Sequence, residues 1–475
     1  MKPLLSWWIL LCVCYACSAQ QRPNIVFIEV DDLTYKYVGA FGAEHIQTPR
    51  IDELAQRGVL FENAIVQGCM CAPSRNSLMT GRYPQNLGLY SNGDIRQMPA
   101  GQWAFPTALQ TAGYHTSWIG KSHILPYVAD QRGRGGLKKT NAMKQRMGFD
   151  EVWQSAGRHV ALKRAKELAA DPQGKWKRNA DAYADYLYDN HLLERFIKDG
   201  VSPTTLKVDQ YLDGFIAKQS ADWIRGYQGD QPFFLWVNFS GPHGPYNPPR
   251  EYLQSYESAD MPPAIRDDDH SDIPRVLRPH EWRKLQGAIG KQRGEYAGMI
   301  SFIDEQVGRV VDAVRTKGVE QDTVIVFFSD HGIMEGDHGL MHKETLYKEV
   351  LNACLVVVDP QGPSGARVAR PVELLDLVKT SLDWAGAMPQ ASESAFGESL
   401  LPLLRGKEAE YKRRFAVAQI NGATTMVTQR YKYIHTADGP VLFDLASDPD
   451  ERENVAEDQP ALCQRFESAF AQWKA

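Results

Sequence analysis

The sequence predicts an α/β fold: a large, mostly parallel sheet flanked by helices, followed by a smaller C-terminal antiparallel sheet and a helix. Three observations carry this expectation. Apolar runs at 24–30, 232–240 and 323–329 alternate with amphipathic stretches, as strands buried on both faces alternate with covering helices. Each run stops abruptly on polar or charged residues, Asp31-Asp32, Gly241-Pro242-His243 and Asp330-His331, and in open α/β sheets ligands bind beyond such strand ends. Past Arg405 the pattern changes to short alternating runs separated by polar turns, the mark of antiparallel strands.

The elements follow in order. Run 24–30 reads as the first buried strand. Residues 48–60 carry Thr48 as N-cap, Pro49 in the first turn and Gly58 as stop, so a helix is expected. A short strand at 61–66 then delivers the chain to Gly68-Cys69-Met70-Cys71-Ala72-Pro73-Ser74-Arg75. There Cys71 precedes a proline and a helical run, which places it at a helix N-terminus, where N–H groups and the dipole favour an anion. A helix near 103–112 leads to a strand from 114 that ends in Lys121 and His123; two apart, these point the same way on extended backbone. From Arg132 to Arg178 cations outnumber acids, a solvated surface or a contact surface for an anionic polymer. A helix at 207–226 precedes the second buried run, and Pro242 and Pro245 fix the backbone around His243. A proline- and charge-rich insertion at 248–293 gives way to a helix at 296–317 closed by Gly318. After the third run come Lys343 and His342, a strand around 356–358, a helix at 374–385 and, at the end, a helix at 461–473.

Length and charge bound the possibilities. A chain of 475 residues holds one large α/β domain, expected at 22–405, and a smaller unit at 406–475. A net charge of -5 argues against general nucleic-acid binding. Lys2, an apolar run at 4–16 and the small residues Cys17-Ser18-Ala19 read as a secretory signal (1–19), with a lipid-anchor cysteine at Cys17 as the alternative. No other stretch is apolar enough to span a bilayer, so no stable membrane insertion is expected. Asn238-Phe239-Ser240 is an N-glycosylation acceptor set in a strand expected to be buried, which favours a bacterial exported protein over a glycosylated lysosomal one.

The run Cys71-x-Pro73-x-Arg75, continued by Leu78, Thr80, Gly81 and Arg82, resembles the signature of the formylglycine-dependent (type I) sulfatases of the alkaline phosphatase superfamily. The likeness extends over nearly the whole mature chain and implies an alkaline-phosphatase-like fold. It implies that Cys71 is oxidised to formylglycine by a maturation enzyme, and that the hydrate is the nucleophile. Cys69, Cys354 and Cys463 then remain in the mature chain, an odd set that argues against a disulfide framework. The family places metal ligands at Asp31 and Asp32. If their strand neighbours that of Asp330, three carboxylates converge and require a cation, Ca²⁺ first and Mg²⁺ second by their oxygen chemistry. His331, where many sulfatases have Asn, is expected as a further metal ligand, and the resemblance implies that residue 71 also ligates the metal through one hydroxyl of its hydrate. Gly-Lys-x-His resembles the family's second active-site motif at Lys121 and His123, with Ser122 where Trp is usual. His243 matches its Pro-His motif, and Lys343 its sulfate-contacting lysine. The resemblance gives Arg75 the bracing of the metal cluster, and Lys121 and Lys343 the sulfate oxygens. His243 would protonate the departing alcohol and His123 would act as a base. His342, where the family often has a small residue, would touch substrate. The expected function is hydrolysis of sulfate esters on a sulfated carbohydrate or polysaccharide by a periplasmic or secreted enzyme. The alternatives are a phosphatase or phosphonate monoester hydrolase of the same superfamily, and a non-catalytic binder of sulfated glycans.

Overall fold

The computed structural model describes residues 22–94, 103–124, 147–171, 181–200, 202–256, 261–265, 272–278, 289–387 and 395–474. The signal segment with Cys17, and the basic residues from Arg132 to Arg146 and from Lys175 to Arg178, lie outside them.

The strands β1 (Asn24–Asp31), β2 (Val59–Ile65), β3 (His115–Lys121), β4 (Glu151–Ser155), β5 (Phe233–Pro242), β6 (Thr323–Ser329), β7 (Asn352–Val358), β8 (Ala366–Val368) and β9 (Val372–Glu373) form one nine-stranded sheet. Its order is β4-β3-β5-β1-β6-β7-β2-β8, with β9 paired to β2. β1 runs parallel to both neighbours, β5 and β6, and β7 is antiparallel to β6 and β2, so the sheet is mostly parallel, as expected. A separate antiparallel sheet holds β10 (Ala416–Ile420), β11 (Ala423–Val427), β12 (Tyr431–Thr436) and β13 (Val441–Asp444), and the helix Pro460–Lys474 follows it.

Strand alternation sorts β1 between two cores. Ile25 and Phe27 join a cluster that includes Leu78 and Met79 of the helix Cys71–Thr80. Val26, Ile28 and Val30 pack on the other face, against the helices Leu212–Gly226 and Ile289–Lys317. Phe27 alone meets Phe105, Phe234, Trp236 and Phe328. Each such side chain contributes roughly 1.5–3 kcal/mol on burial, while the two buried carboxylates of the same strand, Glu29 and Asp31, are paired with Arg75 and Lys121. These two carboxylates continue the Ile25/Phe27 face, which directs them toward Cys71–Thr80.

The structure departs from the sequence reading in several places. Thr48 does not cap the helix Pro49–Arg57 with its side chain, because its hydroxyl donates to Asp52 and accepts from the Gly39 N–H. Asp304, on the facing helix, accepts from the N–H groups of Arg50 and Ile51 instead, at 3.1 and 2.8 Å. The 207–226 segment is a turn, Val208–Gln210, followed by the helix Leu212–Gly226. The long helix covers Ile289–Lys317 and so already includes residues 289–295, which the sequence reading left outside it. Its first turns carry Gln292 and Arg293, polar residues that find buried partners in Glu335 and Asp337 and so break the apolar period. Cys69, Cys71, Cys354 and Cys463 are all free thiols.

Candidate active site

The central strands bring the charged residues together. Because β1 and β6 are parallel neighbours, Asp31 and Asp330 emerge at the same sheet edge, and the Asp330 N–H still donates to Val30 O at 3.0 Å. Adjacent residues on a strand point to opposite faces, so Asp31 and Asp32 could not serve one site on extended backbone. Asp32 instead adopts a left-handed conformation, φ 63°. Its carbonyl accepts from Tyr296 OH at 2.6 Å, and its N–H donates to Asp330 Oδ1 at 3.1 Å. Cys71 opens its helix, fully buried, with Sγ 3.3 Å from Asp31 Oδ1, 3.3 Å from His331 Nε2 and 3.3 Å from Lys343 Nζ.

Arg75, one helical turn on, is wholly buried. Its Nε donates to Asp330 Oδ2 at 2.8 Å, while Nη1 reaches Glu29 Oε2 and Asn238 Oδ1, each at 3.1 Å. Ser74 Oγ donates to Asp330 O at 2.6 Å. Lys121 ends β3 against Asp31 and 3.9 Å from Cys71 Sγ. Gly120 before it has φ 112°, and a Cβ there would lie 1.9 Å from Asn238 O, so only glycine lets β3 approach β5 this closely. His123 reaches the same region by a turn and not by strand pleat: β3 has ended, and its φ is 57°. Its Nδ1 is buried without a hydrogen-bond partner. His243 Nε2 lies 3.7 Å from Asp32 Oδ2, and Lys343 Nζ donates to Asp32 Oδ1 at 2.6 Å. His342 is exposed at a left-handed position, φ 65°, beside Lys343.

Electrostatics follow from burial and from opposed charges. Burial pushes the Cys71 thiol up to about 12, against the pull of Lys343. Burial drives Lys121 down to about 7, opposed by Asp330 and reinforced by Lys343. Lys343 moves the other way, because Asp32 and Cys71 outweigh its desolvation. Asp330 is held low despite burial, through His331, Arg75 and Lys121. Burial lowers His243 to about 3, with Asp32 opposing. Burial and the charges of Lys121, Arg75 and Lys343 keep His123 well below its usual value.

The donor set fits a divalent cation. One ligand atom each from Asp31, Cys71, Asp330 and His331 lies within 4.8 Å of the others, and Asp32, Cys71 and His243 form a second such group. His331 Nδ1 lies 2.9 Å from Gly332 O and 3.2 Å from Asp32 Oδ1, so the tautomer with the proton on Nδ1 turns the Nε2 lone pair toward Cys71 Sγ at 3.3 Å and Asp330 Oδ1 at 3.8 Å. Two of these carboxylates already draw ammonium groups, Lys121 to Asp31 and Lys343 to Asp32, which marks the strength of the negative field.

Sequence reasoning missed several residues. Glu29 is raised to about 7 by burial, with Arg75 opposing, and accepts from Trp236 Nε1 at 2.8 Å. An acid inside an otherwise apolar strand was a legible signal. Tyr296, Asn238 and Asp213, which accepts from the Ser240 and Gly241 N–H groups at 2.6 and 3.0 Å, had no such signal, since their partners are distant in sequence. His159 was also missed; its ring meets that of His243 edge-on, with centroids 6.0 Å apart.

The sulfatase family model matches residues 23–387. The chain belongs to the sulfatase family. It is a sulfuric ester hydrolase of the alkaline phosphatase superfamily. A second family model, N-sulphoglucosamine sulphohydrolase, C-terminal, matches residues 336–467. A sulfatase of Formosa agariphila is 29% identical over 457 residues, covering 92% of this chain and 83% of that protein. Among solved structures, the phosphonate monoester hydrolase of Agrobacterium radiobacter aligns with a TM-score of 0.77 and 24% identity over 95% of each chain. A chain solved with its substrate D-glucosamine-2-N,6-O-disulfate aligns with a TM-score of 0.73 and 20% identity, over 96% of this chain and 98% of that one. Among the described residues, no helix is long and apolar enough to cross a membrane.

Proposed function

We propose that this sulfatase desulfates a sulfated carbohydrate outside the cytoplasm, using formylglycine at position 71 and a divalent cation, Ca²⁺ ahead of Mg²⁺. The observation that carries the reading is the meeting at Cys71 Sγ of Asp31 from the end of β1, His331 from just beyond β6 and Lys343 from its loop, each 3.3 Å away. As a thiol held up to about 12, residue 71 is a poor nucleophile at neutral pH, which favours a role after oxidation. The carbohydrate substrate is supported by the glucosamine disulfate bound to one structural relative, and export by the leader-like start of the chain.

Asp31, Asp32, Asp330 and His331 would hold the cation, which supplies charge neutralisation and acidifies a hydroxyl bonded to it. The formylglycine hydrate supplies a nucleophile that can later release sulfate, which a plain serine or cysteine could not do. Lys121 and Lys343 flank Cys71 and bind the sulfate oxygens. Arg75 fixes Asp330 from behind. His123, with its unpartnered Nδ1, accepts a proton at residue 71. His243 Nδ1 lies 2.8 Å from Gly244 O, so the neutral ring donates there and turns an acceptor Nε2 toward Asp32. To act as the acid it must gain a proton at Nε2. An anionic ester between Lys121 and Lys343 offsets the two ammonium groups that, with burial, hold it neutral.

Co-expression with a formylglycine-generating enzyme, followed by mass spectrometry of the residue-71 peptide and rate measurements on an aryl sulfate and its phosphate analogue, tests this. The expected result is the aldehyde at position 71, faster sulfate release, and loss of turnover in Cys71→Ala. Preferential cleavage of the phosphorus ester would move the assignment to the phosphonate hydrolase branch whose fold this chain shares.

A further inference from the structure

The helix Arg158–Ala170 leaves the site from the C-terminal end of β4, beside Lys121. Its first turn is pinned. Gly157, in the left-handed region at φ 86°, stands beside the site: a Cβ there would be in ordinary contact with Lys121 Cε at 3.6 Å and Ser240 Oγ at 3.4 Å. Arg158 is buried, with its guanidinium 4.5 Å from the Tyr211 ring centroid and 5.7 Å from that of Phe196. Ala161 and Ala165 continue the buried face. The opposite face begins with His159, whose ring meets His243, and continues with Lys163 and Lys166, all three exposed. Positions i, i+4 and i+7 share one helix face, so the two ammonium groups stand about 6 Å and about 10 Å along the axis from His159. Glu167, the nearby acid, is taken by Arg164 at 2.6 Å. Among the described residues neither Lys163 nor Lys166 has an ion-pair partner.

We infer that this face is a track for the sulfated polysaccharide itself, holding sulfates of neighbouring sugars on Lys163 and Lys166 while the scissile sulfate lies between Lys121 and Lys343. The inference rests on the sulfatase reading for the site to which the track leads. Charge complementarity and continuity with His243 select this occupant: a polyanion gains from two uncompensated cations in line with the reacting group, whereas a monosulfated sugar reaches neither.

The test is Lys163→Gln/Lys166→Gln beside Lys407→Gln/Lys412→Gln, which removes the same charge elsewhere, both made in the full chain. Binding of a fluorescent heparin oligosaccharide is followed against salt. The track requires Kd to rise about tenfold, and the slope of log Kd against log salt to fall by about one to two, in the first pair only. Equal effects in both pairs, or none in either, overturn it. In parallel, the ratio of kcat/KM for a sulfated oligosaccharide to that for 4-nitrophenyl sulfate should fall about tenfold in the first pair. Should the wild type bind through these lysines yet release no sulfate from any ester, the sulfatase reading fails and the binding face stands. Should it release sulfate with that ratio unchanged, the track fails alone.

Discussion

Arg75 shows how a single side chain decides whether the site can exist. It has no exposed atom to solvate, and it holds two carboxylates, Glu29 and Asp330, that are themselves fully buried. A buried ion group of this kind contributes little net stability when complete, because desolvation consumes the Coulombic gain, but losing one partner leaves an uncompensated charge. Arg75→Ala should therefore cost about 3–5 kcal/mol in urea unfolding and abolish turnover together. In Arg75→Met/Glu29→Met, one stranded acid is replaced by apolar volume, and part of the stability should return while activity does not. If stability failed to recover at all, the Glu29 contact would not be the source of the loss. The arginine was legible from its spacing after Cys71, whereas Glu29, although an acid in an apolar strand signals a buried partner, could not be matched to that partner because Arg75 lies far along the chain.

At the scale of elements, the strands and their ends were readable because buried parallel strands leave an uninterrupted apolar run and stop on charge. What the pattern could not convey was the local backbone. The left-handed turns at Asp32 and His123 bring consecutive polar residues to one place, and nothing in an Asp-Asp or Lys-x-His string specifies them. Thr48 holds the N-cap position as expected, but the source of the cap bonds was illegible for a similar reason: the donors at the start of Pro49–Arg57 are satisfied by Asp304, about 250 residues away in sequence. Burial raises Asp304 to about 7, with the Ile51 and Arg50 N–H bonds opposing. The folded protein then holds this proton more tightly than the unfolded chain. The contribution to stability is full below the unfolded value of about 3.9 and is lost as pH rises through about 7. Asp304→Asn keeps an acceptor and removes the titration, so its urea midpoint should fall less than that of the wild type between pH 5 and pH 7.5. An identical pH profile for the two proteins would show that the group does not titrate in that window.

At the scale of the whole molecule, the smaller sheet is tied to the segment that feeds Cys71. The Gln419 N–H in β10 donates to Gln67 O at 2.9 Å, and Gly68 bridges to Gln419 in parallel, a few residues before the helix that opens with Cys71. Ala416, Ala418 and Ile420 share one apolar cluster with Phe61, Cys69 and Leu78, so the two sheets are not joined by polar surface alone. The charged part of the seam is Arg413, which reaches Glu373 at 3.0 Å and Asp376 at 2.5 Å, both acids fully buried. Tyr411 OH donates to the same Asp376 at 2.6 Å. Arg413→Ala strands two carboxylates and should cost about 3–5 kcal/mol. The penalty carries a sign in pH. Burial already raises Glu373 to about 7 against the pull of Arg413, so removing the arginine raises it further. The variant should therefore lose stability relative to the wild type more steeply as pH climbs from 6 to 8. Because β10 braces the approach to Cys71, sulfate release should fall in step with the undocking of residues 416–444, followed by limited proteolysis. A variant that was nicked there yet kept full turnover would mean that Cys71 is held by the large sheet alone.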